Sequence, residues 1–323
     1  MNDFWITFAQ LTVNGIAVGA IYALVALGLV LIYKATEVLN FAHGDLLVVS
    51  AFAAWGMITV WTFPFWLALL VAVGGVALFA YALDAFIIRR IAGQPQFAGV
   101  MLTIALAFMI RGAVSMLFGP ESRNYATPWS NQSTQIAGLS VANLQLVILG
   151  TAMLVTVVLF LFFRYTLLGV AMQAASQNQL AAYLNGVRVK RVNSLVWALG
   201  GVTAAFAGVL LAPITMVDIS LWFVTLKALS ALVLGGFGSI PGAIVGGLLI
   251  GLIEQYAGVY MPDGVVFFSH QLGSFCGAYL GGLLYDRSGT YDLVWMIAIG
   301  LGIFAALINL PIQERALGRL QST

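Results

Sequence analysis

Two long stretches without charge constrain the fold of this chain more than any other feature. Thirty uncharged residues separate Asp3 from Lys34, and thirty-eight separate Asp45 from Asp84. A helix needs roughly 20 apolar residues to cross a lipid bilayer, so the first stretch can hold one span and the second can hold two. Pro64 lies inside the second stretch and cannot continue a helix, so it divides that stretch. The sequence therefore predicts a polytopic helical membrane protein.

The composition agrees with this class of protein. Hydrophobic residues make up 62% of the chain and charged residues only 7%, whereas soluble domains are about 25% charged. We predict an all-α polytopic transmembrane protein with about 8–9 spans, one of them interrupted by glycine. The spans are expected near residues 7–32, 45–62, 65–88, 97–118, 142–163, 193–213, 226–260, 264–284 and 292–312. Because the only early charge, Asp3, is acidic, we expect the first span to be retained and not cleaved as a signal peptide.

The distribution of positive charge predicts the orientation. The segment from residue 164 to 195 contains no acidic residue but carries Arg164, Arg188, Lys190 and Arg191. Cytoplasmic loops of membrane proteins are enriched in lysine and arginine, so this segment should lie in the cytoplasm. Counting spans backwards places Arg89, Arg90 and Lys34 on the same side. The N-terminus and the polar segment 120–135 are then expected outside.

A short amphipathic helix is predicted inside the basic segment. Leu180, Tyr183 and Leu184 have the i, i+3, i+4 spacing of one helical face. Asn178 can cap the start of this helix, and Gly186 stands where a left-handed residue would end it. The helix would present an apolar face edged with positive charge, which suits a protein partner. An ordinary cytoplasmic loop, basic only because of the orientation rule, is the alternative.

These residues resemble a known element. The string "LAAYLNG" (residues 180–186) resembles the x-A-A-x-x-x-G core of the coupling loop in permease subunits of ABC importers. Ala181, Ala182 and Gly186 match this core, whereas many members carry Glu where this chain has Leu180. The strings "NGIAVGAIYALVALGLVLIYKATEVLNFAHGDLLVVSAFAAW", "VTAAFAGVLLAP" and "KALSALVLGGFGSIPGAIVGGLLIGLIEQ" are similar to branched-chain amino-acid permeases of these importers. The resemblance covers residues 10–260, and "LNFAHGD" is its most specific marker.

The resemblance implies a function and a set of partners. It implies the transmembrane subunit of an ATP-driven importer for branched-chain or related amino acids, with urea or short-chain amides as alternative substrates. The implied partners are a second permease subunit, two ABC ATPase subunits, an extracytoplasmic solute-binding protein and the lipid bilayer of a bacterial-type inner membrane. Neither a cofactor nor nucleic acid is implied. The chain has no G-x-x-x-x-G-K-[ST] string, so ATP hydrolysis is expected on the partner chains and this chain is expected not to be an enzyme. The implied coupling residues are Gln179, Leu180, Ala181, Ala182, Tyr183, Gly186 and Arg188.

Four polar residues are candidates for the start of a helix or for the translocation path. Asn40, His43 and Asp45 begin the second span; Asn40 could cap it, and Asp45 suits the positive end of the helix. A role in gating is the alternative. His43 and Asp45 do not predict a metal site, since no further donors are nearby in sequence. Arg111 lies within a span, where it could meet a substrate carboxylate, pair with Asp84 or Asp218, or extend to the outer interface.

The glycine-rich string "GGFGSIPGA" (residues 235–243) allows two interpretations. It lacks the features of a phosphate-binding loop. A broken helix could line a path with Gly235, Gly236, Gly238 and Ser239, because freed backbone groups in a membrane must face protein or water. A tight turn between closely packed helices is the alternative.

The end of the chain does not fit the permease pattern. The strings "SHQLGSF" and "GGLLYDRSGTYD" resemble the last two helices of major facilitator superfamily transporters. We therefore predict a permease domain at residues 1–261 and a C-terminal two-helix segment at 262–323. A divergent permease tail is the alternative. Because of this segment, an ion-coupled secondary transporter and an inactive fusion product remain rival functions.

Overall fold

The computed structural model describes residues 2–91, 94–136 and 138–261, together with positions 296, 299 and 300. Its helices in these ranges are α1 Asn2–Thr36, α2 His43–Trp55, α3 Phe65–Phe86, α4 Gln96–Phe118, α5 Asn143–Tyr165, α6 Leu167–Gln177, α7 Gln179–Leu184, α8 Val189–Thr215, α9 Val224–Gly235 and α10 Ile240–Tyr260. Short irregular helical segments occupy Gly56–Val60, Ile88–Ile91 and Ile219–Phe223. Two strands, β1 Ser133–Ile136 and β2 Leu139–Ala142, pair antiparallel. Apart from this small hairpin, the described part of the chain has the helical architecture of an all-α membrane protein.

Seven described helices are long and apolar enough to cross a membrane. Six of them coincide with the predicted spans from 7–32 to 193–213, and α10 accounts for the seventh. A shorter apolar helix, Ile219–Gly235, lies between α8 and α10. The predicted helices at 264–284 and 292–312 lie outside the described residues, apart from the three isolated positions.

Helices α1 and α8 form the centre of the described helical bundle. Most of the apolar window of each helix is buried inside the protein, whereas α4 and α5 bury little of theirs. Small residues allow close helix packing: a Cβ on Gly28 of α1 would lie 2.3 Å from Thr203 Oγ1 of α8. Likewise, a Cβ on Gly208 of α8 would lie 2.3 Å from Ser50 Oγ of α2. Small residues at helix interfaces are typical of membrane proteins, because close approach increases van der Waals contact.

The glycine-interrupted region forms two helices where one interrupted span was predicted. Helices α9 and α10 form an antiparallel pair, since Gly235 packs against Gly242 and Ala231 against Gly246. The turn at residues 236–239 contains Gly236 at φ 89°, a conformation that favours glycine. The close backbone contact and the positive φ agree with the tight-turn interpretation.

The polar segment predicted outside the membrane folds back onto the bundle. The backbones of Arg123 and Val217 exchange two hydrogen bonds, of 2.9 and 2.8 Å. The Tyr125 hydroxyl donates to the carbonyl of Val209 in α8 at 2.6 Å. Burial raises the pKa of this phenol above its ordinary value, so the hydroxyl stays protonated and remains a donor.

Candidate functional site

Helix α7 has both of its predicted caps. The Asn178 side chain accepts a hydrogen bond from the backbone N–H of Ala181 at 2.8 Å. At the other end, Gly186 adopts φ 85°. The N–H of Gly186 donates to the Tyr183 carbonyl, and that of Val187 donates to the Ala182 carbonyl. This pair of bonds is a Schellman motif, which satisfies the free carbonyls at the end of a helix.

The same helix exposes an apolar face. The side chains of Leu180, Tyr183 and Leu184 are 69%, 67% and 75% exposed, whereas Ala182 is buried. Ala181 and Arg188 are also exposed. The face therefore combines three large apolar groups with a neighbouring guanidinium and has no cover among the described residues.

Two polar connections join this region to the membrane helices. The Gln179 side chain donates to the carbonyl of Ala35, near the end of α1, at 2.9 Å. After α7, the buried Ser194 in α8 donates to the Asp84 carboxylate in α3 at 2.6 Å. Arg89 adds a bond to the Lys190 carbonyl at 3.0 Å and another to Ser194 Oγ.

Sequence reasoning missed the roles of Asp84 and Ser194. Asp84 was considered only as a possible partner of Arg111, and Ser194 was not singled out. A useful signal was present, because a carboxylate near the end of an apolar span needs a partner, and Arg89 and Arg90 follow Asp84 within about two turns. The contact with Ser194 could not be inferred, since 110 residues separate the two.

The residues before α2 form a buried turn. Asn40 Oδ1 accepts from the N–H of Ala42 at 3.0 Å, whereas Ala42 occupies the N-cap position and makes no side-chain cap bond. Asn40 therefore orders the chain just before α2 and does not cap the helix itself. His43 is fully buried, with its ring in the cradle formed at Gly28 and Thr203. Among the described residues, no group of three or more His, Cys, Asp or Glu could hold a metal ion.

The start of α2 lies well inside the bundle. The N–H of Phe41 donates to Thr103 Oγ1, and that hydroxyl lies 3.2 Å from the Leu39 carbonyl. Thr103 is seven residues into α4, or about 10 Å along its axis. The segment 37–42 therefore turns back into the protein before α2 begins.

Arg111 pairs with Asp45, and with neither Asp84 nor Asp218. Its Nε and Nη2 atoms donate to the two carboxylate oxygens of Asp45 at 2.9 and 3.2 Å. The Asp45 side chain is 1% exposed and that of Arg111 is 19% exposed. The Trp222 ring lies 4.1 Å from the guanidinium carbon, a cation–π contact. The arginine thus joins α2, α4 and the segment before α9.

The glycine turn lies beside the end of α1. The rings of Phe237 and Tyr33 are 5.4 Å apart, and Tyr33 precedes Lys34 in the last turn of α1. Gly235 packs against Gly242, while Gly236 and Gly238 have no close neighbour that a Cβ would meet. Ser239 Oγ accepts from the N–H of Gly242 at 3.0 Å. These four residues therefore shape the turn that leads into α10.

The fold and these contacts define a class: a multi-pass helical membrane protein that carries a capped, exposed apolar helix between two of its spans. Comparison with known proteins identifies the family. The chain belongs to the family described as "Branched-chain amino acid transport system / permease component", which matches residues 11–263.

Curated relatives are permease proteins of such systems. The high-affinity branched-chain amino acid transport system permease protein LivH of Salmonella typhimurium is 29% identical over 284 residues, covering 81% of this chain and 89% of the relative. The Escherichia coli K12 protein of the same name has the same identity and coverage. The permease protein BraD of Pseudomonas aeruginosa is 28% identical over 272 residues, with 79% and 88% coverage. No solved structure matches this chain.

Proposed function

We propose that this chain is the membrane-spanning subunit of an ATP-driven importer for branched-chain or related amino acids, in a bacterial-type inner membrane. The observation that carries the proposal is the family match over residues 11–263. The proposed partners are a second permease subunit, two ABC ATPase subunits and an extracytoplasmic solute-binding protein. The transported amino acid is proposed from the names of the relatives, which are branched-chain amino acid permeases.

The exposed face of α7 supports the coupling role. One short helix exposes three large apolar side chains, Leu180, Tyr183 and Leu184. Contact of apolar groups with water is unfavourable, so covering them with a partner lowers the free energy. Large exposed apolar groups rimmed by polar residues mark sites of protein association. Leu180 is 69% exposed, so we propose that the contact this chain makes at that position is apolar.

A movement of α7 can reach the membrane helices through the contacts already described. Gln179 connects α7 to α1, and Ser194, Asp84 and Arg89 connect the start of α8 to α3. The α7–α8 connection is short, because Val189 starts α8 five residues after Leu184 ends α7. We propose that ATPase closure displaces α7, and that α1, α3 and α8 move with it to alternate the access of the substrate site.

The test is purification of the tagged chain from native membranes, with the co-purifying ATPase subunits quantified. The variant Tyr183→Gln/Leu184→Gln removes two exposed apolar groups of α7 and should reduce ATPase recovery by about tenfold, since each group contributes hydrophobic free energy to docking. The control, Met116→Gln/Leu117→Gln, also replaces two exposed apolar residues by glutamine, in the last turn of α4 and away from α7. The control should recover ATPase as the parent does. If the parent brings down no ATPase, the importer proposal is wrong, and an inactive fusion product explains the chain better.

A further inference from the structure

A cavity of about 230 Å³ lies between α1, α5, α6, α8 and α10. A single water molecule needs only about 10–15 Å³ of such space, so the cavity can hold a group of several heavy atoms. All of its lining residues belong to the compact unit Met1–Ile253. Part of the lining is apolar and part is polar, which suits an amphiphilic occupant.

The cavity lies at one end of the membrane helices. Lys34 and Phe163 each lie two residues before the end of their helices, α1 and α5, and Ile240 is the first residue of α10. Helix α5 has 23 residues, or a length of about 35 Å, which exceeds the hydrocarbon thickness of roughly 30 Å. Its last turn therefore reaches the level of the lipid head groups. The basic segment 164–195 begins at this end, which is the side predicted to be cytoplasmic.

The polar part of the lining favours an anion. Lys34 is half-buried and forms neither an ion pair nor a hydrogen bond with any described residue. The other polar residues of the lining, Gln173, Ser176 and Gln177, are neutral and come from α6. Glu37 is the acidic residue closest to Lys34 in sequence, but it is exposed and does not line the cavity. A partly buried positive charge is more stable with a counter-charge, and the cavity leaves space for one.

The apolar part of the lining favours a lipid. Leu31, Met172 and Val196 are buried in the wall. Phe163 connects this wall to the outer surface of α5, because Phe160 lies one turn earlier on the same helix and is exposed. A free anion gains nothing from apolar walls, whereas the glycerol and acyl groups of a lipid do.

A second positive charge lies on the same surface of α5. The Arg164 guanidinium carbon is 5.8 Å from the centre of the Phe160 ring and 5.6 Å from that of Tyr165. Tyr165 is itself exposed at the last position of α5. Tyrosine and arginine at a helix end are typical of a membrane–water interface.

We propose that this cavity binds the phosphate group of an anionic phospholipid from the cytoplasmic leaflet. Lys34 is the counter-ion of the phosphate, Gln177 supplies an amide donor, and the acyl chains lie along α5 past Phe163. Basic cavities between membrane helices at the cytoplasmic side suit anionic head groups. The bound lipid would contact the support of α7, since Ala35 lines the cavity and its carbonyl accepts from Gln179. The proposal does not depend on the transported substrate or on the ATPase.

The test is a titration of the purified full-length chain, in an uncharged maltoside detergent, with dioctanoylphosphatidylglycerol. Native mass spectrometry counts the bound lipid, and the unfolding midpoint should rise to a plateau as the site fills. Lys34→Gln removes the charge, so the lipid concentration for half-saturation should rise about tenfold with the loss of a charge-assisted bond. Lys34→Arg retains the charge and should bind nearly as the parent does.

Two further variants keep Lys34 in place. Gln177→Glu changes an exposed residue, so the fold should be retained. The new carboxylate should pair with Lys34 and repel the phosphate, which should also weaken lipid binding about tenfold. Lys190→Gln is the matched control: Lys190 is exposed at the same end of the bundle and does not line the cavity. Its carbonyl, which accepts from Arg89, is unchanged, and lipid binding should stay within about twofold of the parent.

Two other probes identify the source of the phosphate. Dioctanoylphosphatidylcholine has the same acyl chains and no net charge, and it should bind the parent at least about tenfold more weakly. Inorganic phosphate lacks the apolar part and should produce no rise of the midpoint that depends on Lys34. If inorganic phosphate produces that rise and the lipid does not, the assignment to a lipid is wrong.

The remaining outcomes test the location of the site. If Lys34→Gln and Lys190→Gln weaken lipid binding equally, the attraction is a general effect of positive charge and the cavity is not the site. If phosphatidylcholine binds as tightly as phosphatidylglycerol, Lys34 does not recognise the anion and the proposal is overturned. Weaker binding in both Lys34→Gln and Gln177→Glu, with recovery in Lys34→Arg, supports it.

Discussion

The most consequential single contact in the described chain is the ion pair between Asp45 and Arg111. The two residues are 66 positions apart and lie on α2 and α4. A bidentate pair with a buried carboxylate fixes both helices in angle and in register, and Trp222 adds a third element by stacking on the guanidinium. We infer that the pair holds the start of α2 in place against α4.

Breaking this pair from one side should destabilise the protein strongly. Asp45→Asn leaves the Arg111 charge without its counter-ion, and the loss of one partner of a buried pair costs about 3–5 kcal/mol. The double variant Asp45→Asn/Arg111→Met removes both charges and should recover most of the loss. The measurement is the unfolding midpoint in detergent of the purified parent, of Asp45→Asn and of the double variant. If the double variant is less stable than Asp45→Asn alone, the residual arginine is not the source of the loss.

Asp218, which lies outside the long membrane helices, should make the stability of the folded protein depend on pH. Hydrogen bonds from Ser122 Oγ, at 2.6 Å, and from the N–H of Ser220, at 2.7 Å, stabilise the charged form and lower the pKa of this carboxyl. Because the pKa of Asp218 is lower in the folded state than in the unfolded state, the charged carboxylate stabilises the folded state. This stabilisation is complete at pH values above the ordinary carboxyl pKa. It is lost as the pH falls through the lowered folded value.

Carboxyl-carbon NMR of the labelled protein tests this dependence. The Asp218 resonance should titrate below the usual range of aspartate, and Ser122→Ala should move its midpoint upward because the hydrogen bond from the Ser122 hydroxyl is lost. Ser220→Ala is the control, since the N–H that donates from position 220 is retained. A midpoint that does not move in Ser122→Ala would mean that the Ser122 bond is absent in solution.

At the scale of single elements, the sequence predicted α7 well because its determinants are local. The i, i+3, i+4 stripe, the cap at Asn178 and the left-handed Gly186 all act within nine residues, and each has its predicted place. The start of α2 was less predictable. Its depth in the bundle depends on contacts of residues 37–42 with Thr103 of α4, which no local pattern encodes.

The contribution of the Asn178 cap to the local stability of α7 can be measured by hydrogen exchange. Asn178→Ala removes the acceptor of the Ala181 N–H and should cost the helix about 1 kcal/mol. Backbone amides of α7 should then exchange hydrogen faster, and the recovery of ATPase subunits should fall. Asn178→Ser retains a capping oxygen and should restore both. Faster exchange without a change in ATPase recovery would separate the order of the helix from docking.

The α1–α10 contact depends on the absence of side chains. A Cβ on Gly251 would lie 2.3 Å from the Cα of Gly19, which is backbone and cannot move aside. Gly251→Val should therefore destabilise the protein by at least about 1–3 kcal/mol through overpacking. Gly150→Val is the control, because a Cβ at this position of α5 meets nothing within 4 Å. Equal midpoints for the two variants would contradict the packing of α10 on α1.

At the scale of the whole molecule, hydrophobic run length predicted the membrane class and the positions of the six spans from 7–32 to 193–213. These depend on the thickness of the bilayer, which every span must match. The sequence did not resolve whether residues 226–260 cross once or form a pair of helices. That choice depends on the backbone contact of Gly235 with Gly242 and on the turn beside Tyr33. The partner of Arg111 was missed: Asp84, Asp218 and a substrate carboxylate were considered, whereas the structure pairs it with Asp45, 66 positions away.

The boundary proposed near residue 262 leads to a prediction about the whole chain. The family match ends at residue 263, and one compact unit comprises residues 1–253. A chain shortened to residues 1–261 keeps the seven described helices that can span a membrane, and it keeps α7 with its exposed apolar face. It should therefore recover ATPase subunits and take up leucine within about twofold of the full chain, since α7 and its described contacts with α1 lie within the retained residues. A shortening to residues 1–239 is the control, because it removes α10 and its packing on α1, and it should abolish both activities.

If the 1–261 chain inserts stably but recovers no ATPase, residues 262–323 are needed for the function of the permease. The division into a permease domain and a separate C-terminal segment would then be wrong.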